Sequence, residues 1–340
     1  MHLRMNKSPF DDLTILVPLD FSQRPFDILS KAYHLCKTIN SIGCKIVFGH
    51  ADRGTLIDRF AYNTLSSFSK THVASKKTDN HAINTSLLRN IAFERVQTKF
   101  LLILDVDIWP DLELFTKYLA LLASEKSPLF FIPCVYLTAK GTKDLRKKKL
   151  NPAELTKRFF NFSRKDFLHI ASPSSITFMH SGDFLQVGGF DQKFEGHGYE
   201  DFDFMIRLAR HHELISPTPS FFSNQTSRSP LFASGFRREL GRLCLPALLN
   251  KDFAYHLHHT KPKASKYHDS RASNFEIFKS KHQVLSSSGE ESATLIEDFI
   301  KLCSNNGQLI SHFSALFENK PGHVDRYDTF KRRLRFLIND

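Results

Sequence analysis

The sequence predicts an α/β protein, an open and mostly parallel sheet covered by helices on both faces. Two observations predict it. Short apolar runs rich in β-branched residues alternate with helically spaced apolar positions over the first hundred residues. The composition is that of a globular chain: 340 residues, 41% hydrophobic and 24% charged, which sets aside disorder, collagen and a disulfide-stapled miniprotein.

The elements follow in order. Residues 13–19 (LTILVPL) read as a strand, and residues 26–39 as a helix. Residues 45–50 (KIVFGH) repeat the strand signal, with a weaker one at 72–75. Ile83, Leu87, Leu88, Ile91 and Val96 place a helix over 80–96, which delivers the chain into a strand at 100–104 (FLLIL). A helix at 112–122 and one apolar strand at 129–136 come next. Residues 140–166 then hold ten Lys/Arg against three acids, +7 out of a net +12. Such a run reads as a solvated, mobile surface or as a patch that recruits an anionic partner. Regularity resumes with a strand at 175–179 and a helix at 200–212 whose Phe202, Met205, Ile206 and Ala209 form one stripe. Residues 216–230 read as loop, and helical segments at 293–302 and 329–338 form a tail. The organisation expected is one domain over 1–282, in two halves at 12–110 and 111–282, followed by a helical extension at 283–340.

Five scattered cysteines lack any CxxC pair and read as buried thiols in a reducing compartment. The polar N-terminus has no signal-peptide core, and no apolar run approaches the roughly 18 residues that span a bilayer. The expectation is a cytoplasmic protein, with peripheral contact at the cytoplasmic membrane face left open.

Three segments carry candidate chemistry. Asp105 and Asp107 stand two apart directly after a buried strand, a spacing that lets both carboxylates face one hard cation. Residues 187–207 (VGGFDQKFEGHGYEDFDFMIR) bring four glycines into Glu200 and Asp201 at a helix start, where the ionised form of a base is favoured. In Tyr255-His256-Leu257-His258-His259, His256 pairs with His259 on a helical turn or with His258 on a strand.

Taken in order, ILVPLDF, HAINTSLLRNIAFERV, FLLILDVDIWP, GGFDQKFEGHGYEDFDFMIRL and HLHHTKP resemble the nucleotide-sugar glycosyltransferases of the GT-A fold. The resemblance is to bacterial capsule-type enzymes with a β-galactosyltransferase-type signature, and it covers roughly residues 12–282. It implies a metal-dependent, inverting hexosyltransferase that moves a hexose or N-acetylhexosamine from a UDP-sugar to a glycan or lipid-linked glycan, in capsule or cell-surface polysaccharide synthesis. It implies Asp201 as catalytic base and Glu200 as a sugar-gripping partner. It implies Asp107, His256 and His259 as ligands of Mn2+ or Mg2+, which selects the turn pairing of the histidines. Pro18, Asp20, Arg24, Asp52, Arg89, Asn90 and Asp105 fall on donor-binding positions. Asp20 and Phe21 depart from the basic residues common after the proline, and His197 stands where the galactosyltransferases carry Trp. The competing readings are a retaining transferase on the same fold, and a non-enzymatic basic module for anionic glycan or membrane. No RNA-binding signature accompanies the basic run, so nucleic acid is not an expected partner.

Overall fold

The computed structural model describes residues 8–78, 83–163, 165–225, 227–260, 269–289 and 294–318. The tail helix expected at 329–338 lies outside them. The chain runs β1 (Leu13–Leu19), α1 (Pro25–Asn40), β2 (Lys45–Asp52), α2 (Leu56–Ser66), β3 (Thr71–Lys77), α3 (Thr85–Phe93), β4 (Phe100–Ile103) and α4 (Leu112–Ala123). It continues through β5 (Leu129–Phe131), β6 (Cys134–Leu137), α5 (Ala139–Arg146), α6 (Pro152–Phe160), β7 (Phe167–Ala171), β8 (Thr177–His180), α7 (Ser181–Gln186) and α8 (Glu200–His211). The last described elements are β9 (Thr218–Pro219), α9 (Gly235–Arg242), α10 (Leu245–Leu249), β10 (Ala254–His256), α11 (Arg271–His282), β11 (Ser286–Ser287) and α12 (Ile296–Asn305).

These elements fall into two compact units. The first comprises Met1–Phe130, Ser175–Glu213 and Thr260–His282; the second comprises Phe131–Ser174, Leu214–His259 and Gln283–Asp340. The first carries a six-stranded sheet in the order β3-β2-β1-β4-β8-β5. Strands β3, β2, β1 and β4 run parallel, and β8 runs antiparallel to β4. Every residue of β1 is buried, as expected of a central parallel strand that reads as an unbroken apolar run. Pairing of β1 with β4 ends at Leu16, two residues before Pro18, which has no N–H to continue a ladder.

Helix α3 sits very close to the sheet because Gly49 of β2 lets it. A Cβ there would lie 1.7 Å from the Leu88 carbonyl oxygen. That close approach positions Arg89 and Asn90, the next residues of the helix. Helix α2 was not expected from the sequence; it starts on a capping box in which Thr55 and Asp58 satisfy each other's backbone N–H.

The second unit holds a three-stranded sheet, β10-β6-β7, and the short parallel pair β11-β9. The single strand expected over 129–136 is therefore two strands in two sheets. Pro133 lies between them, and a residue without an N–H cannot continue the ladder. The described residues of the basic run at 140–166 are largely helical, with many of the lysines exposed. The run forms α5 and α6 around Asp166, whose side chain is 1% exposed and pairs with Lys140 at 3.2 Å and Arg158 at 3.1 Å. These cations hold the Asp166 carboxyl below its ordinary range against the opposing effect of burial. All five cysteines are buried and free. Among the described residues no helix is long and apolar enough to cross a membrane.

Candidate active site

The first unit assembles a carboxylate cluster around Arg89. This arginine is on the buried face of α3, 2% exposed, with its guanidinium 4.6 Å from the centre of the Phe190 ring. Its Nη2 donates to Asp105 Oδ1 at 2.9 Å, and its Nη1 lies 2.8 Å from Asp201 Oδ1. The contact to Asp201 is a close ion pair without hydrogen-bond alignment. Arg89 Nε and Nη1 and Asp201 Oδ1 are buried atoms left without an aligned partner. Asp105 is further fixed by Ser175, whose hydroxyl donates to Oδ2 at 2.7 Å. One buried cation thus holds together the end of β4 and the start of α8.

The start of α8 is shaped by the glycine-rich loop. Gly198 takes φ +109°, Tyr199 takes φ +72° at the N-cap, and the Gly198 N–H donates to Glu200 Oε2 at 2.8 Å. Glycine supplies such positive-φ backbone most cheaply at 198, and Tyr199 adopts it as a non-glycine residue. Asn274 of α11 pins the loop by donating to the carbonyls of Glu195 and Gly198. Asn90 pins its other end. The Asn90 amide donates to the Phe190 carbonyl at 2.8 Å and its carbonyl accepts the Phe190 N–H at 2.9 Å.

Burial, then the neighbouring Asp201 charge, pushes the Glu200 carboxyl well above its ordinary value, with Arg89 opposing. Burial raises Asp201 as well, with the Arg89 charge as the main opposing influence. Glu200 is 6% exposed, whereas the Asp201 side chain is 29% exposed. The exposed member of the pair can meet a substrate, and the buried member is the natural holder of a proton.

Asp105 and Asp107 do not present themselves as alternate residues of one strand. Strand β4 ends at Ile103, and the segment turns, with the Ile108 N–H donating to the Asp105 carbonyl at 3.0 Å. The strand-parity expectation fails for that reason, and the two carboxylates take different partners. Asp107 accepts a bidentate pair of bonds from Arg24, at 3.1 and 2.8 Å, and one from Lys31 at 2.6 Å. Arg24 and Lys31 also reach Asp27, at 2.7 and 2.9 Å.

The remaining first-unit candidates lie at strand exits. Asp20 is buried and paired with Arg53 at 2.7 Å, which ties the exit of β1 to that of β2. Pro18 lies within β1 opposite Gly49. Asp52 Oδ1 accepts the Gly54 N–H at 2.9 Å in a local turn.

In the second unit, His256 ends β10 and stacks on Tyr136 with ring centres 4.1 Å apart, and Tyr136 stacks on His169 at 4.2 Å. The His256 and His259 rings are 5.5 Å apart, while the His258 N–H donates to Thr142 Oγ1. His256 is the last residue of β10 and the residues after it are not helical, so these two rings meet beyond a strand end and not on the helical turn expected.

Lys31, Arg53 and Ser175 were not singled out from the sequence. Lys31 alone had a signal, a lysine on the apolar stripe of α1 between Ile28 and Leu35. Arg53 looks like an ordinary loop residue, and Ser175 like the first residue of an expected strand, until the fold places them.

Residues 58–284 match the family described as Glycosyltransferase like family 2, and the chain belongs to that family. Similar solved structures include S. aureus TarS 1–349, at 13% identity over 58% of this chain and 55% of that one, with a TM-score of 0.37. The catalytic domain of Drosophila beta1,4galactosyltransferase 7 in complex with xylobiose is 17% identical over 59% of this chain and 61% of that chain, with a TM-score of 0.31. The mannosyltransferase PcManGT from Pyrobaculum calidifontis, in complex with GDP-Man and Mn2+, is 12% identical over 90% and 74%, with a TM-score of 0.43. The chain spans 55% of the TarS chain and 61% of the galactosyltransferase chain. No curated protein matches the chain.

Proposed function

We propose that the chain is a metal-dependent, inverting glycosyltransferase that moves a hexose or N-acetylhexosamine from a UDP-sugar to a glycan or lipid-linked glycan acceptor. The observation that carries this reading is the buried Arg89 held between Asp105 and Asp201, with Glu200 beside them. Family membership supplies the reaction class.

In this reading Asp201 is the base. The Arg89 charge keeps it ionised, while burial makes it a stronger base than an exposed aspartate. Its carboxylate takes the proton of an acceptor hydroxyl as that oxygen attacks the anomeric carbon, and the sugar–phosphate bond breaks on the opposite face. Glu200, kept protonated by burial, offers a donor O–H to a sugar hydroxyl. Asp105, set by Arg89 and Ser175, is the acceptor for a donor hydroxyl. Asn90 acts on the donor through the loop it anchors, and Pro18, Asp20, Arg24 and Asp52 line the strand exits on the nucleotide side. Asp107 in the first unit, a carboxylate, and His256 and His259 in the second, two imidazoles, are each of a residue type that a Mn2+-like ion takes as ligand. Such an ion would neutralise the charge that grows on the departing nucleoside diphosphate.

The test is UDP release from a panel of UDP-sugars with Mn2+, repeated with EDTA. Release is expected with Mn2+ for at least one donor and is expected to fall on chelation. Neither binding nor turnover of any nucleotide sugar under either condition would sink the proposal.

A further inference from the structure

Lys31 poses a problem that the reaction does not answer. Its side chain is 1% exposed on the packed face of α1, and an ammonium buried without partners would cost several kcal/mol. Its partners include two carboxylates, Asp27 one helical turn earlier and Asp107. Arg24, at the N-cap of the same helix, makes the same two contacts. Between them the two cations engage both oxygens of Asp107, whose side chain is 9% exposed. Two cations and two carboxylates sum to zero charge, so a divalent ion arriving at Asp107 meets a carboxylate that is already neutralised.

We propose that Arg24 and Lys31 are built-in counter-cations of Asp107, which hold its carboxylate and compete with the divalent ion for it. This inference rests on the reading of Asp107 as a metal ligand. Its consequence is that the ion binds weakly to the protein alone. A nucleoside diphosphate brings the negative charge that restores balance and gives the released ammonium and guanidinium groups new acceptors. Metal and donor then bind as one coupled event, and Lys31 sets the strength of the coupling. Asp27 is the balancing partner. As the second acceptor for both cations, it draws them away from Asp107.

Two substitutions move the competition in opposite directions. Lys31→Met removes one competitor with an apolar chain of similar length, and Mn2+ affinity without nucleotide is expected to rise roughly tenfold or more. Asp27→Asn leaves the cations leaning on Asp107, and Mn2+ affinity is expected to fall about threefold or more. Asp27 is 36% exposed, so this variant stays informative if Lys31→Met fails to fold. The readout is the six-line electron paramagnetic resonance signal of free Mn2+ titrated with protein, with and without UDP, and with far-UV circular dichroism as the fold control. The UDP-induced gain in Mn2+ affinity should be large in the wild type and smaller in Lys31→Met. Unchanged or weaker Mn2+ binding by a folded Lys31→Met, or unchanged or tighter binding by Asp27→Asn, would overturn the inference while leaving Asp107 as a ligand. Absence of Mn2+ binding by every form, with or without UDP, would remove the metal-ligand reading and this inference with it.

Discussion

Replacing Arg89 with Met removes the single positive charge that Asp105 and Asp201 share while keeping most of the side-chain volume. The guanidinium nitrogens lie 2.8 and 2.9 Å from the two carboxylates, so the charge centres are about 4 Å apart. At an effective dielectric constant of about 20, each pair is worth about 4 kcal/mol. Burial already raises Asp201, and Arg89 is the charge that opposes the rise. Without it burial acts on the base unopposed by that charge, and a larger share of it is protonated at neutral pH. UDP release by Arg89→Met should then fall by about 10²–10⁴-fold at pH 7 and recover progressively towards pH 10. Leaving these half-buried carboxylates without their cation also costs stability. Arg89→Lys, which keeps a charge without the planar fork, is therefore run beside it and should show an intermediate pH profile. The assay is a pH–rate profile from pH 5.5 to 10 on protein shown to be folded by circular dichroism. A folded Arg89→Met enzyme with the wild-type rate at pH 7 and an unmoved profile would refute the reasoning.

Other consequences are more local. Asp203 is fully buried, with Arg207, Lys281 and His282 at 2.7, 2.8 and 3.0 Å, and its carboxyl is pulled down to about 2 against the opposing effect of burial. A depressed folded value means that the stabilisation is complete above the unfolded carboxylate value near 3.8 and is lost as pH falls through about 2. That change is worth about 2–3 kcal/mol. Asp203→Asn should therefore destabilise strongly at pH 7, and the gap to wild type in urea melts should narrow below pH 4; a gap independent of pH would contradict this. Gly49→Ala would push a methyl against the Leu88 carbonyl and lever α3 off the sheet, costing about 3 kcal/mol or more in a urea melt. A variant within 1 kcal/mol of wild type would show that the helix does not depend on that close approach.

Much of this architecture was legible because the strands of a parallel sheet are buried on both faces and advertise themselves as apolar runs. β1 covers the same residues in sequence and structure, and the helices that became α1, α4 and α8 differ by one residue or less at each end. The failures have physical causes. One proline divides the run at 129–136 between two sheets, although its apolar content is continuous. The basic run at 140–166 hides a buried ion-pair cluster because Asp166, the acid at its centre, counts as one unit against ten. At the candidate site, the chemically expressive residues Asp105, Asp107, Glu200 and Asp201 could be named from their spacing. Their pairing with Arg89, Arg24 and Lys31 could not, since these cations come from other segments of the chain, although Arg24 had a position by resemblance. Arg89 had a position by resemblance, yet its role as the link between Asp105 and Asp201 emerges only when α3, β4 and α8 converge. Asn90 similarly turns out to spend both amide groups on the Phe190 backbone.

The central claim is that Asp201 performs the proton transfer while other residues hold the donor. Asp201→Asn keeps the shape of the side chain and removes its basicity, so the most direct measurement compares UDP release with calorimetric UDP binding in this variant and in the wild type. The account predicts UDP binding within about threefold of wild type and turnover reduced by at least about 100-fold. Full turnover by Asp201→Asn would contradict it, and would shift the reaction to a mechanism on the same fold that needs no base at this position.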